Sequence, residues 1–419
     1  MKFIADFHIH SKYSRATSRQ MDIPNIARWA KIKGIDLMAA PDWTHPKWLE
    51  ELKRDLKPLD NGLFECNKTK FILVTELSSI YKKGDKVRKI HNLIFAPNFQ
   101  IVDQINAKLG KDFNLKSDGR PILGLDAKNL LEIILTISKD CLIVPAHAWT
   151  PWFSLFGSHS GFDSIKECFE EYSKYIYAIE TGLSSDPAMN WRLSALDKIT
   201  LISNSDAHSP SKLGREANIF NCQLSYKSII NAIKNNKLVK TIEFFPEEGK
   251  YHFDGHRACN ICLSPEEAKK YKNICPKCGK PLTIGVMHRI DDLADRPARN
   301  ASQARLAMAG GKNHEGLVPF KRLIPFQEII SEALKVGVNT KAVNQEYEKL
   351  IKKFKTEFNI LLNVKIEDLE KTIAPLIALG IKRVRQGKVH IEPGYDGEYG
   401  RISIFGSRDE KFDKQRSLF

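Results

Sequence analysis

Over its first half the chain alternates short apolar runs with amphipathic segments. Residues 35–40, 71–74, 92–95, 142–144, 178–180 and 201–203 are mostly apolar, as strands buried on both faces are. Between several of them, 23–32, 127–138, 164–173 and 191–196 read as helices. Strand and helix in turn predict a parallel sheet with crossover helices, and about seven strands predict a barrel-like α/β domain. The first strand ends in Asp6-Phe7-His8-Ile9-His10. Side chains alternate along a strand, so Asp6, His8 and His10 share a face while Phe7 and Ile9 turn to apolar packing. Further on, three apolar stripes predict three helices between 325 and 384. They are Ile329/Ile330/Ala333/Leu334, Val343/Tyr347/Leu350/Ile351/Phe354/Phe358 and Leu369/Ile373/Leu376/Ile377. The outer faces carry Lys349, Lys352, Lys353 and Lys355, a solvated surface or a set of phosphate contacts.

What stands beside each apolar run changes the picture. His8 and His10 close the first, Asp42 and His45 follow the second, and Glu76 follows the third. His91 opens the fourth; His147, Glu180, Asp206 and His208 follow the later ones. Active sites of α/β barrels are built at strand carboxyl ends. Any one of these residues could cap a helix or bond a loop. Their recurrence from strand to strand points instead to a polynuclear site for divalent ions, with carboxylates able to bridge.

The set resembles the PHP superfamily of metal-dependent phosphoesterases at His8, His10, Glu76, His91, His147, Asp206 and His208. That resemblance implies a distorted (β/α)7-type barrel with two or three divalent ions (Zn, Mn or Mg). It implies Glu76 as a bridge and catalytic roles for Asp206, Glu76, His8, His10 and His147. Two departures stand out. Arg15 occupies the place of the Asp usually found shortly after His-x-His, and Thr-Asp-His appears as Pro41-Asp42-Trp43 with His45 displaced. Asp42 and His45 are therefore candidate ligands of a third ion, and Arg15 a candidate phosphate contact.

Longer segments narrow the resemblance. His147-Ala-Trp-Thr-Pro-Trp-Phe-Ser-Leu-Phe-Gly-Ser, Glu180-Thr-Gly-Leu-Ser-Ser-Asp-Pro and Ser205-Asp-Ala-His-Ser-Pro-Ser-Lys-Leu-Gly-Arg-Glu-Ala-Asn are similar to endonuclease Q, a DNA-repair branch. The similarity runs from residue 1 to about 406. It implies incision of damaged DNA, double- or single-stranded, 5′ to uracil, hypoxanthine, xanthine or an abasic site. Reading a damaged base requires its extrusion from the stack. Trp43, Trp149, Trp152 and Phe153 lie beside ligand-bearing loops and could wall a pocket or pack the barrel rim. Tyr395, in a Gly-rich turn before a short strand, could stack on a base or serve only the turn.

Two Cys-x-x-Cys pairs, Cys259/Cys262 and Cys275/Cys278, are spaced as in a zinc ribbon and predict a structural zinc site of four cysteines. His252 and His256 lie just upstream as competitors. The other four of eight cysteines are single, which fits a reducing compartment. Arg289, Arg296 and Arg299 could meet phosphate or pair with Asp291, Asp292 and Asp295. The expected division is a metal-dependent barrel over 1–222, a connector with the zinc-binding domain over 223–288, a helical DNA-binding domain over 289–406 and a flexible tail over 407–419. Gln415, Leu418 and Phe419 in that tail resemble the peptide by which bacterial DNA enzymes bind the sliding clamp.

Composition limits the alternatives. A net charge of +15 suits a polyanionic partner, nucleic acid before membrane. No apolar stretch of about 18 residues exists to span a membrane, and no leader pattern opens the chain. A cytoplasmic, nucleoid-associated protein is expected. A PHP-type phosphatase for a small phosphomonoester is the competing enzyme, which the cysteine pairs and helical extension disfavour. A non-catalytic DNA- or clamp-binding module is the third reading, disfavoured by the near-complete ligand set.

Overall fold

The computed structural model describes residues 1–297 and 317–406. Its strands are β1 (Lys2–Asp6), β2 (Leu37–Ala40), β3 (Lys57–Pro58), β4 (Phe64–Cys66), β5 (Thr69–Lys83), β6 (Lys86–Ala96), β7 (Ile122–Leu123) and β8 (Leu142–Pro145). They continue as β9 (Ala178–Glu180), β10 (Thr200–Ile202), β11 (Ala217–Asn221), β12 (Leu238–Glu243), β13 (Asp254–His256), β14 (Ile261–Leu263), β15 (Phe320–Arg322), β16 (His390–Glu392) and β17 (Arg401–Ser403). The main sheet runs β15-β12-β11-β1-β2-β5-β4-β3, with β6 on β5 and β8 on β6. The fold is mixed α/β.

Parallel pairing holds at β1–β2–β5, at β5–β7, at β12–β15 and within the separate pair β9–β10. β1–β11, β11–β12, β5–β6 and β6–β8 are antiparallel. The reason is local for the longest pair. Lys83 and Lys86 pair across a tight turn in which Gly84 takes φ +60°, and so short a connection can only reverse the chain. The outer half of this hairpin is charged, so only its inner apolar segments stand out in the sequence.

Helices lie at Ile23–Lys33 and Ala127–Ile137, as the periodicity predicts. The predicted 164–173 is a short helix, Ile165–Phe169, continued as a 3-10 turn. The predicted 191–196 is not a helix. Pro187 starts a short one earlier, at Pro187–Asn190, and a 3-10 turn follows at Ser194–Leu196. Two of the C-terminal stripes form Phe326–Leu334 and Lys341–Phe354. The third is broken. Leu369 lies in one short helix, Ile366–Glu370, and Pro375, lacking an N–H, begins another at Pro375–Gln386.

The division at residue 222 is not kept either. β12 and β15 extend the main sheet beyond it. One apolar core runs from Phe3 to Ile404, taking in the C-terminal helices, and a separate small one surrounds Ala268, Cys275 and Leu282. Lys33 in the first long helix pairs with buried Glu357 at 2.8 Å, and Tyr347 and the Phe326 N–H donate to the same carboxylate. No helix among the described residues is long and apolar enough to cross a membrane.

Candidate metal centre

β1 ends beside β2 and β11, and the chain then passes through the short bridge Ile9–Ala207, which brings the loop after β10 against it. Asp6 ties the two: Ser205 donates to it through its N–H at 3.1 Å and its hydroxyl at 2.6 Å. Burial pushes the Asp6 carboxyl up to about 6. His8 and His10 follow, and across from them stands Glu76 on β5.

Glu76 is the centre of the cluster. Its Oε2 lies 3.4 Å from His8 Nε2, 3.2 Å from His10 Nε2 and 3.0 Å from the Arg120 guanidinium. Its Oε1 lies 2.6 Å from His91 Nδ1 and 3.1 Å from His147 Nε2. Asp206 Oδ1 closes the other side, 3.2 Å from His10 Nε2 and 3.7 Å from His8 Nε2, with His208 Nδ1 3.6 Å away. Three overlapping groups result, each compact enough to share an ion: His8/His10/Glu76, His10/Asp206/His208 and Glu76/His91/His147. Nε2 of His8 and His10 and Oδ1 of Asp206 are buried and make no properly angled hydrogen bond. Buried polar atoms are normally satisfied, so the donor set fits divalent ions.

A second layer orients the rings. Glu180 takes His8 Nδ1 at 3.0 Å and also accepts from the His147 N–H and the Asn204 amide. Asp42 takes His10 Nδ1 at 3.2 Å and accepts from the Ser11 N–H and the Ser14 hydroxyl. Such carboxylates leave Nε2 as the ligand atom. Burial opposes charge on His8 and His10, but the carboxylates around them outweigh it and hold both well above the usual imidazole range. Burial also opposes charge on Glu76 and Asp206. The histidines, with Arg120 beside Glu76, reverse this and hold both carboxyls well below their range. Burial pushes His91 down to about 4. Protons and divalent ions thus compete for the same nitrogens.

The loops carrying these residues are tightly set. Asp42, His147 and Asp206 hold left-handed backbone with φ of 51°, 33° and 46°, of the kind that clusters at functional sites. Arg215 pins the last by donating to the Ser205 and Asp206 carbonyls. Gly182, at φ +63°, leaves room for His147, whose Cβ would stand 2.6 Å from any Cβ there.

Several expected site residues are placed elsewhere. Asp42 bonds to the back of His10 and lies outside the three groups. His45 caps the helix Pro46–Asp55, accepting from Trp48, and stacks on Tyr13. Trp43 and Trp149 are buried in the core and wall no opening; the Trp149 indole donates to Asn190. Arg15 is exposed on the first loop. Trp152 is 37% exposed, stacked on His159 and edge-on to Tyr251. Tyr395 covers Gly255 and donates to Asn260, so it serves the cysteine-rich subdomain. Arg289 pairs with Asp163 and Arg296 with Asp197, not with the nearby aspartates. Arg299, Gln415, Leu418 and Phe419 lie outside the described residues.

In the cysteine-rich part, His256, Cys259, Cys275 and Cys278 form the compact group, and Cys262 is not in it. Asn260 at φ 52° starts β14 early, which pairs Cys262 with Gly255 and turns its thiol to the Pro393 carbonyl. Arg120 and Asn204 are the residues the sequence did not flag. Arg120 sits in a loop without periodicity, and its link to Glu76 is purely tertiary.

A family model described as the MJ0043 C-terminal domain matches residues 325–388. An uncharacterized protein, MJ0043 of Methanocaldococcus jannaschii, is 36% identical over 281 residues, 65% of this chain. The match covers 33% of that relative, so this chain spans about a third of its length. The crystal structure of the lesion-specific endonuclease PfuEndoQ from Pyrococcus furiosus is 33% identical, with a TM-score of 0.84 over 99% of both chains. This chain belongs to the endonuclease Q family. A second endonuclease Q structure, in complex with a 27-mer duplex substrate bearing an abasic lesion at its active site, is 34% identical. Its TM-score is 0.83 over 97% of each chain. Among endonuclease Q chains, then, this one carries the Glu76 cluster within a fold shared from end to end.

Proposed function

We propose that the chain is a metal-dependent DNA-repair endonuclease that cuts the phosphodiester 5′ to uracil, hypoxanthine, xanthine or an abasic site. The observation that carries this reading is the convergence of unsatisfied His8 and His10 nitrogens on Glu76 and Asp206. It occurs in a chain whose family includes an enzyme crystallised with an abasic duplex. We read the surrounding sheet as a distorted PHP-type barrel. His8, His10, Glu76, His91, His147, Asp206 and His208 would hold two or three ions, and His256, Cys259, Cys275 and Cys278 a structural zinc.

Ions held at the Glu76 cluster supply Lewis-acid charge to the phosphoryl oxygens and acidify water. The chain's own residues do the rest. Glu76 offers one oxygen to each half of the cluster. Glu180 and Asp42 fix the tautomers of His8 and His10. Arg120, with its side chain 29% exposed, keeps a guanidinium face open beside Glu76, where it can donate to a non-bridging phosphate oxygen.

Nicking of duplexes carrying uracil, hypoxanthine or an abasic site, with the cut mapped and the metal varied, tests this reading. Asp206→Asn is expected to abolish nicking, and an undamaged duplex to remain intact. Absence of any nick with Zn, Mn and Mg, or full activity in Asp206→Asn, would overturn it.

A further inference from the structure

The β5–β6 hairpin does more than bring Glu76 and His91 together. Beyond them it runs on as a two-stranded arm to the turn at Gly84. Its register sets Ser78 opposite His91, Ile80 opposite Lys89 and Lys82 opposite Val87. Because side chains alternate, Glu76, Ser78, Ile80 and Lys82 share a face with His91, Lys89 and Val87. The face that starts at the metal centre therefore ends in Lys89, Lys82 and Val87.

The opposite face is tied down. Lys83 pairs with Glu170 at 2.7 Å, and Arg88 pairs with Glu167 at 3.3 Å while lying 4.0 Å over the Phe162 ring. These bonds hold the arm against the body of the protein and leave its site-facing side outward. There Lys82 is exposed and forms no ion pair among the described residues. Val87, directly across from it, is 55% exposed, a large apolar side chain with nothing over it. Lys89 sits 5.2 Å over Phe153, whose ring also touches His91.

We propose that this face of the arm is a track for duplex DNA, with Lys82 and Lys89 on phosphates of the strand held at the metal centre and Val87 against the sugar edge. The proposal deepens the endonuclease reading and rests on it. Lys82 stands six residues beyond Glu76, about 20 Å at strand rise, or about six base pairs of duplex. Phosphate contacts carry no sequence information, as suits an enzyme that must accept a lesion in any context.

The test uses the full chain with its metals. Binding of an abasic duplex is measured across a range of salt for wild type, K82Q and the double variant K82Q/K89Q. Each lost phosphate contact lowers the slope of log K against log salt by about 0.9, so decrements of about 0.9 and 1.8 are expected. The loss in nicking is expected in KM rather than kcat. K82Q alters only an exposed side chain, so its decrement cannot come from misfolding. An unchanged slope in both variants, in a wild type that nicks, would overturn the track and leave the endonuclease reading standing. Reduced slopes in a protein that nicks no lesion would support the track and defeat that reading.

Discussion

Glu76 faces two ways, and the residues behind the rings decide what each histidine can do. Asp42 is the sharpest case. As a ligand it would hold an ion of its own, but its carboxylate lies on His10 Nδ1. Asn keeps the left-handed backbone at this position without strain. Asp42→Asn is therefore expected to leave the number of bound ions per chain unchanged while weakening metal affinity by about 10–100-fold. Elemental analysis and a competitive chelator titration check the two parts separately. Arg120→Gln is expected to slow nicking by about 10²-fold or more, the loss of a charged donor at a developing phosphoryl charge. The residues that gather around Glu76 were legible, because His-x-His at a strand end and carboxylates beside later strands leave a linear trace. The partners of each Nδ1 leave none: whether Asp42 faces the ion or the back of a ring depends on how β1 and β2 lie together.

At the scale of elements, turns decided more than strands did. The cysteine spacing predicts a metal knuckle of four cysteines, but the left-handed Asn260 moves Cys262 into a hairpin, and His256 stands in the compact group in its place. Cys262→Ser is expected to retain its zinc through dialysis against a chelator, and His256→Ala to lose it. A site built from all four cysteines would give the reverse. The hairpin β5–β6 was half hidden for a related reason. Its apolar inner segments read as two separate strands, and the charged outer halves masked the continuous pairing. Pro375 was in plain view, yet the apolar stripe on either side of it argued for one helix where the ring imposes two.

Across the whole molecule, two buried polar groups set the terms of stability. Glu357, 4% exposed, receives Lys33, Tyr347 and the Phe326 N–H, joining the first long helix to two C-terminal ones. Removing one partner strands the others, so Glu357→Ala is expected to cost about 3–5 kcal/mol in denaturant unfolding, with a single transition. Glu216 and Glu243 lie buried together. Burial, and then the neighbouring Glu243 charge, holds Glu216 well above the usual range. Burial first, with Asp186 adding, pushes Glu243 up to about 8. Both bind protons more tightly folded than unfolded. Their stabilising effect is full below about pH 4.5 and is lost as pH rises through about 8. Thermal unfolding is expected to move to lower temperature as pH rises from about 4.5 to about 8, and Glu243→Gln to flatten that decline.

The common core of the sheet and the C-terminal helices bears on how such a chain can be inherited. Residues 325–388 match a family model of their own, which suggests a bead on a string. Yet Phe326, Ile329 and Ile377 pack in the same core as Phe3 and Phe220. A recombination event that cut between the two would leave each part with half a core and Lys33 or Glu357 buried without its counterpart. Descent should therefore keep them together, and exchange of parts between lineages should fall instead on the cysteine knuckle, whose small core is its own.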